Sequence, residues 1–280
     1  MSSLDGMHAL ITGGGTGIGR GIATALAREG AVVTLAARRR DVLDQGAAKV
    51  RSDVAGCEVR VVECDVTVAE QVKAAVDVAS GPGGRLDIAV ANAGSAVPGP
   101  FLLLDDRAWR VCCELNIIGT ASTFKYAALA MREYGGSLVA ISTAASAAPE
   151  VSMSAYTATK AAVDMMVRAA AWELGAFGIR VNSILPGYVP TEGTEGSFTP
   201  ELSTDLLERS ALKRSGTPAD IGALVVHLSQ PAGSWITGQV IGVDGGMTVQ
   251  PMADLTPISR RMYGDAEVDA ALGLDRSSKR

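Results

Sequence analysis

Two hydrophobic periods alternate along the first half of the chain. Met7-His8-Ala9-Leu10-Ile11-Thr12 is a short apolar run that reads as a strand, and a cluster of glycines follows it. Residues 20–29 then read as a helix with Ile22, Ala25 and Leu26 on one face. Gly30 stops that helix, and residues 31–37 form a near-continuous apolar strand. A helix over 41–54, a strand over 58–64, a helix over 68–79 and a fourth strand over 86–91 continue the alternation. The second half adds a helix over about 106–134, a strand over 137–142, a helix over 156–175 and a strand over 180–185. A polar stretch over 192–204, broken by Gly193, Gly196 and Pro200, precedes a helix over about 218–228 and a last strand over 240–243. Strands separated by helices imply right-handed crossovers and a parallel sheet with helices on both faces. With no linker or internal repeat, the expectation is one doubly wound α/β domain over 1–246, followed by a C-terminal extension over 247–280.

Composition narrows the function classes. Thirty acidic against 25 basic residues leave a net charge of −5, and the only notable basic run is Arg38-Arg39-Arg40, so a nucleic-acid binder is not expected. No apolar run reaches the roughly 18 residues of a membrane span. Met1-Ser2-Ser3-Leu4-Asp5-Gly6 has no basic start ahead of an apolar run, and a cytoplasmic protein is expected. Cys57, Cys64, Cys112 and Cys113 lack metal-ligand spacing, His8 and His227 are the only histidines, and no metal site is anticipated.

The glycine cluster carries the first chemical signal. In Thr12-Gly13-Gly14-Gly15-Thr16-Gly17-Ile18-Gly19, glycines between a strand and a helix let the backbone approach a pyrophosphate and turn helix N–H groups onto it. The run lacks the Gly-Lys-Ser/Thr of a P-loop, since Gly19-Arg20-Gly21 stands there. A purely structural turn is the alternative for this motif alone.

Further motifs follow in order: Asn92-Ala93-Gly94 after the fourth strand, Asn116 in the fourth helix, Tyr156-Thr157-Ala158-Thr159-Lys160, Pro186-Gly187-Tyr188-Val189-Pro190-Thr191, and Val243-Asp244-Gly245-Gly246. Together they resemble the short-chain dehydrogenase/reductase family over about Leu4 to Met247. The resemblance implies a Rossmann-type parallel sheet of about seven strands, a nicotinamide cofactor and a small-molecule substrate. It places Gly13, Thr16, Gly17, Ile18, Gly19, Asp65, Val66, Asn92, Ala93, Gly94, Tyr156, Lys160, Pro186, Gly187, Val189 and Thr191 around that cofactor. It also implies an assembly of copies, a homotetramer with a dimer as fallback.

The resemblance makes Asn116, Thr143, Tyr156 and Lys160 the catalytic set. Tyr156 and Lys160 share a helix face. A free tyrosine, with a pKa near 10, is a poor base at neutral pH. A cation about 4 Å away favours its phenolate by roughly 4 kcal/mol at an effective dielectric near 20. Tyr156 is therefore expected to act as general base or acid, with Lys160 on the nicotinamide ribose and Asn116 positioning a water of a proton relay. The family has serine at the third position and this chain has Thr143, with Ser142 next if the loop length differs. Threonine keeps the hydroxyl but adds a methyl and restricts χ1.

The cofactor's identity turns on the end of strand two. NAD-using enzymes of this fold carry an acid there, whereas this chain has neutral Ala37 followed by Arg38, with Arg39 and Arg40 as candidate second contacts. A guanidinium pairs with a 2′-phosphate, so NADP(H) is expected over NAD(H), with NAD(H) use still open. The reaction is hydride transfer between NADP(H) and a carbonyl or secondary alcohol of a small hydrophobic substrate. Alternatives are a 3-oxoacyl-carrier-protein reductase, disfavoured by Glu192, Glu195, Glu201 and Asp205 facing an acidic partner, and a nucleotide sensor without turnover. Leu255, Ile258, Met262, Tyr263, Val268, Leu272 and Leu274 give the extension apolar content, and it is expected to dock on a pocket rim or a neighbouring subunit.

Overall fold

The computed structural model describes residues 3–274 apart from 195, 197 and 252. Seven parallel strands form one sheet in the order β3-β2-β1-β4-β5-β6-β7, where β1 is His8–Thr12, β2 Val32–Ala37, β3 Val59–Glu63, β4 Ile88–Ala91, β5 Gly136–Ile141, β6 Ile179–Pro186 and β7 Val240–Val243. The doubly wound α/β fold is the one expected. The chain leaves β1 toward β2 and β3, then returns to β4 on the other side of β1, which opens a crevice beyond the C-terminal ends of β1 and β4.

Alternation along each strand feeds two cores. Ala9 and Ile11 join Val33, Leu35, Val90 and Ile141 on one face, against Ile22 and Leu26 of α1 (Gly17–Arg28), Leu43 of α2 (Arg40–Asp53) and Ile221 and Val225 of α8 (Pro218–Ser229). Leu10 faces the other way, with Ala89, Leu138 and Val181, against Val72 of α3 (Ala69–Ser80), Phe124 of α5 (Gly119–Met131) and Val163 and Val167 of α6 (Ser154–Leu174).

Two segments differ from the sequence reading. The expected single helix over 106–134 is built from α4 (Asp106–Cys112), a π-helical turn over Cys113–Ile118, and α5. Wide turns of this kind recur at functional sites, and this one holds Asn116. The polar stretch contains α7 (Pro200–Glu208), whose Thr199 side chain accepts from the Leu202 N–H at 3.2 Å with proline in the first turn. That signature stands in the sequence but was masked by the flanking glycines.

The chain divides into two compact units, one ending at Thr248 and the other beginning at Val249. In the second, α9 (Thr256–Tyr263) and α10 (Asp265–Leu272) are tied by an Arg260–Asp269 ion pair at 2.5 Å. Glu195 and the residues after 274 lie outside the described residues.

Candidate active site

The crevice is shaped first by backbone. Gly13 and Gly17 have φ of +63° and +51°, a region that favours glycine. A Cβ on Gly19 would stand 2.3 Å from the Gly13 carbonyl oxygen, so no side chain fits there. Thr12 and Asn92 brace this turn. The Thr12 hydroxyl accepts from the Asn92 and Ala93 N–H groups at 3.0 and 3.1 Å, and the Asn92 carboxamide donates to the Thr12 and Gly13 carbonyls at 2.9 and 3.1 Å. Asn92 thus acts on the cradle's shape from behind. Thr12, which lies outside the expected set, is its partner. Thr16 precedes α1 without a side-chain cap, so the first-turn N–H groups of α1 face an anion site, where the Gly17 N–H meets the Glu192 carboxylate at 3.2 Å. A glycine-walled, uncapped helix start fits a dinucleotide pyrophosphate, and Thr16, Gly17 and Ile18 are the residues that would hold it.

At the rim of this cradle, Arg38 is exposed at the end of β2. Its charge helps lower the Asp65 carboxyl, though the larger effect is the Thr67 N–H bonded to Asp65 Oδ1 at 3.0 Å. Arg40 instead pairs with Asp44 one helical turn on, so it belongs to the helix start. Val66 is buried against Gly119, where a Cβ would lie 2.7 Å from the Val66 Cγ2. Gly94 is equally confined: a Cβ there would meet Asn116 Oδ1 at 3.0 Å and Lys160 Nζ at 3.2 Å.

At the C-terminal end of β5 the structure brings Thr143, Tyr156 and Lys160 together. The Thr143 side chain lies on the Tyr156 side, where it favours the phenolate, while the Ser142 hydroxyl turns away to the Lys160 carbonyl at 3.4 Å. The two neighbouring hydroxyls thus point to opposite sides of the chain, with Thr143 on the Tyr156 side. Lys160 is buried, and its Nζ donates to the Ile141 carbonyl at 2.7 Å and lies 5.9 Å from the Tyr156 ring centre.

The electrostatics correct one expectation. Lys160 is expected to pull the tyrosine down, yet Tyr156 stands above its ordinary value because burial penalises the phenolate and outweighs the opposing effect of the Thr143 hydroxyl, with Glu150 adding a push upward. Burial also drives Lys160 down to about 8, opposed by the Asp164 carboxylate one turn along α6, so the cation that was to do the pulling is itself weakened. Asp164 is buried and accepts from the Ser183 hydroxyl at 2.7 Å. Glu150, on the segment after Thr143, is exposed over much of its surface, while crowding of its carboxyl pushes it upward.

Asn116 is fully buried and commits both amide hydrogens to protein, one to the Ser95 carbonyl at 3.0 Å and one to Thr159 Oγ1 at 2.9 Å, while its Oδ1 accepts from Ser95 N–H at 3.0 Å. Its carboxamide is a brace between the β4 loop and α6. Beyond β6, Gly187 packs on Asp244 (a Cβ would lie 2.7 Å from its Cα), Val189 is buried, and Thr191 lies against Gly17. A separate recess of about 420 Å³ beside Tyr188, Arg214 and Asp244 contains neither Tyr156 nor Lys160 and takes no part in this arrangement.

The depressed lysine gives a pH signature. Between about 8 and the ordinary 10.5, an unfolded chain holds a Lys160 proton that the native chain has released, so stability rises with pH across that window. Relative to Lys160→Met, the unmodified chain should gain about 2 kcal/mol between pH 8 and pH 10 in denaturant titrations. A flat difference would mean that Lys160 keeps its proton in the native state.

Comparison with known proteins agrees with this geometry. A family model described as enoyl-(acyl carrier protein) reductase matches residues 13–248. The 7alpha-hydroxysteroid dehydrogenase of Escherichia coli K12 is 34% identical over 245 residues, covering 87% of this chain and 94% of its own. A solved short-chain type dehydrogenase/reductase from Mycobacterium ulcerans superposes with a TM-score of 0.84 at 36% identity, covering 95% of this chain and 98% of its own. A 7 alpha-hydroxysteroid dehydrogenase solved with NADH and 7-oxo glycochenodeoxycholic acid reaches 0.82 at 34% identity, covering 87% and 94%. Among the described residues no helix is long and apolar enough to cross a membrane. Matched over most of its length by that family model and by relatives above 30% identity, with the same fold, the chain belongs to the short-chain dehydrogenase/reductase family, whose members use nicotinamide cofactors.

Proposed function

We propose that this protein moves a hydride between NADP(H) and the carbonyl or secondary alcohol of a small hydrophobic substrate. The observation that carries the reading is the meeting of Thr143, Tyr156 and Lys160 beside a glycine cradle that fits a pyrophosphate. The bound nicotinamide supplies the hydride donor or acceptor. In reduction the Tyr156 hydroxyl gives its proton to the substrate oxygen, and in oxidation the phenolate takes it back. A tyrosine held high by burial is well suited to the acid role. Thr143 donates to the substrate oxygen and orients it, and Lys160, half-charged near pH 8, hands protons on to Tyr156. Asn116 keeps the Tyr156 turn of α6 fixed to the β4 loop, since Thr159, which it binds, donates in turn to the Tyr156 carbonyl at 2.8 Å.

Tyr156→Phe should abolish turnover while nucleotide binding survives. Thr143→Ala should lower kcat by on the order of tenfold to a hundredfold, in the range of a lost oriented hydrogen bond, with Ser142→Ala much milder. Nucleotide oxidation across a panel of apolar ketones reads both. An unmodified chain that binds nucleotide but turns over no ketone in either direction would point to the sensor alternative.

For the cofactor, support comes from Ala37 and exposed Arg38 at the end of β2. The preference for NADP(H) should be on the order of tenfold to a few hundredfold in kcat/KM, roughly 1.4–3.5 kcal/mol. Arg38→Ala combined with Ala37→Asp should reverse it, and equal rates with both nucleotides in the unmodified chain would contradict the assignment.

A homotetramer is the assembly we favour. Met165 and Trp172 on α6 and Leu129 on α5 stand exposed, Trp172 at 89%, which is more apolar surface than an isolated helix face retains in water. Light scattering at micromolar concentration should give a multiple of the chain mass, and a stable monomer would refute the assignment.

A further inference from the structure

We infer that Glu192 is a tethered competitor for the pyrophosphate site and sets how tightly this chain holds a dinucleotide of either kind. The inference rests on the dinucleotide reading above and adds a residue to it. Glu192 directly follows Thr191, which lies against Gly17 at the start of α1. Its Oε2 accepts from the Gly17 N–H at 3.2 Å, and its Oε1 pairs with the Arg20 guanidinium, also on α1. No side chain caps the helix from Thr16, so the distant Glu192 carboxylate satisfies a first-turn donor in its place.

That turn is where the glycine geometry admits a phosphate. A carboxylate and a pyrophosphate seek the same things there, a backbone N–H at the positive end of a helix and a guanidinium one turn further on. Two anions cannot both occupy them. Glu192 is held ionised, foremost by Arg20, so it remains an anion throughout the neutral range. Binding of the dinucleotide must therefore detach Glu192, after which Arg20 is available to the phosphates. The Arg20 and Glu192 side chains are 26% and 51% exposed, so the contact is a partly solvated one that a ligand can break.

The pyrophosphate is common to NAD(H) and NADP(H), whereas exposed Arg38, just after β2, is the residue assigned above to the 2′-phosphate. The two residues are consequently separable. Glu192→Gln removes the charge and keeps the shape. It should tighten NADPH and NADH by the same factor, about three- to tenfold in Kd, the range of a partly exposed ion pair. Fluorescence or calorimetric titration reads this without turnover. Inorganic pyrophosphate, used as a third probe, should gain by a similar factor, and Glu192→Ala should behave like Glu192→Gln.

Unchanged or weakened binding of all three probes in both variants would overturn the inference. A gain confined to NADPH would also overturn it, because it would place Glu192 at the 2′-phosphate. If the unmodified chain bound neither dinucleotide but pyrophosphate still gained on Glu192→Gln, the competition would stand and the dinucleotide reading would fall.

Discussion

The site depends on how closely the backbones after β1 and β4 approach at the point where the sheet changes direction. The Thr12 hydroxyl joins those two strand ends, accepting two N–H groups from the β4 side while donating to the Val90 carbonyl at 3.3 Å. Asn92 returns two bonds to the β1 side. A buried N–H left without a partner costs about 1–3 kcal/mol, so this small network fixes the turn rather than decorating it. Everything downstream inherits its precision: the φ of Gly13, the contact between Gly19 and the Gly13 carbonyl, and the direction of α1.

The catalytic cluster follows a different logic, in which burial and charge oppose each other. Enclosure raises Tyr156 and lowers Lys160, so both groups move toward their neutral forms. Thr143 and Asp164 work against that drift, one by its hydroxyl beside the tyrosine and the other by its charge on the lysine. Asp164 is itself kept in place by Ser183 on β6, which links the proton-handling helix to the sheet. Burial wins in both cases, which leaves Tyr156 above its ordinary value and brings Lys160 down to about 8.

A third set of contacts closes the site from the far side of the sheet. The segment after β6 carries Val189 into the core and lays Thr191 and Glu192 on the start of α1, more than 170 residues away in sequence. Loops at the C-terminal edge of a parallel sheet are free to carry such residues because the strands beneath them bear the packing.

Much of this was legible in the sequence. The alternation of apolar strands with amphipathic helices determined a doubly wound sheet, since period and order are local properties. The glycine run marked the crevice by its place between a strand and a helix, and Asn92, Asn116, Tyr156 and Lys160 were added to it by resemblance to the family's motifs. The sequence left Thr143 and Ser142 side by side, and only the strand's placement against α6 turned Ser142 toward the Lys160 carbonyl and Thr143 toward Tyr156. Local spacing made Lys160 a strong activator of Tyr156, but the size and sign of such effects depend on how much water surrounds them, and burial is a property of the whole fold. The partners of the Asn116 carboxamide, Ser95 and Thr159, come from other elements and had no mark in local spacing. In the sequence Glu192 was only one acid of the polar stretch. Its carboxylate became meaningful only when chain folding set it on Gly17 and Arg20, because a contact across that separation is written in tertiary structure and in no local pattern.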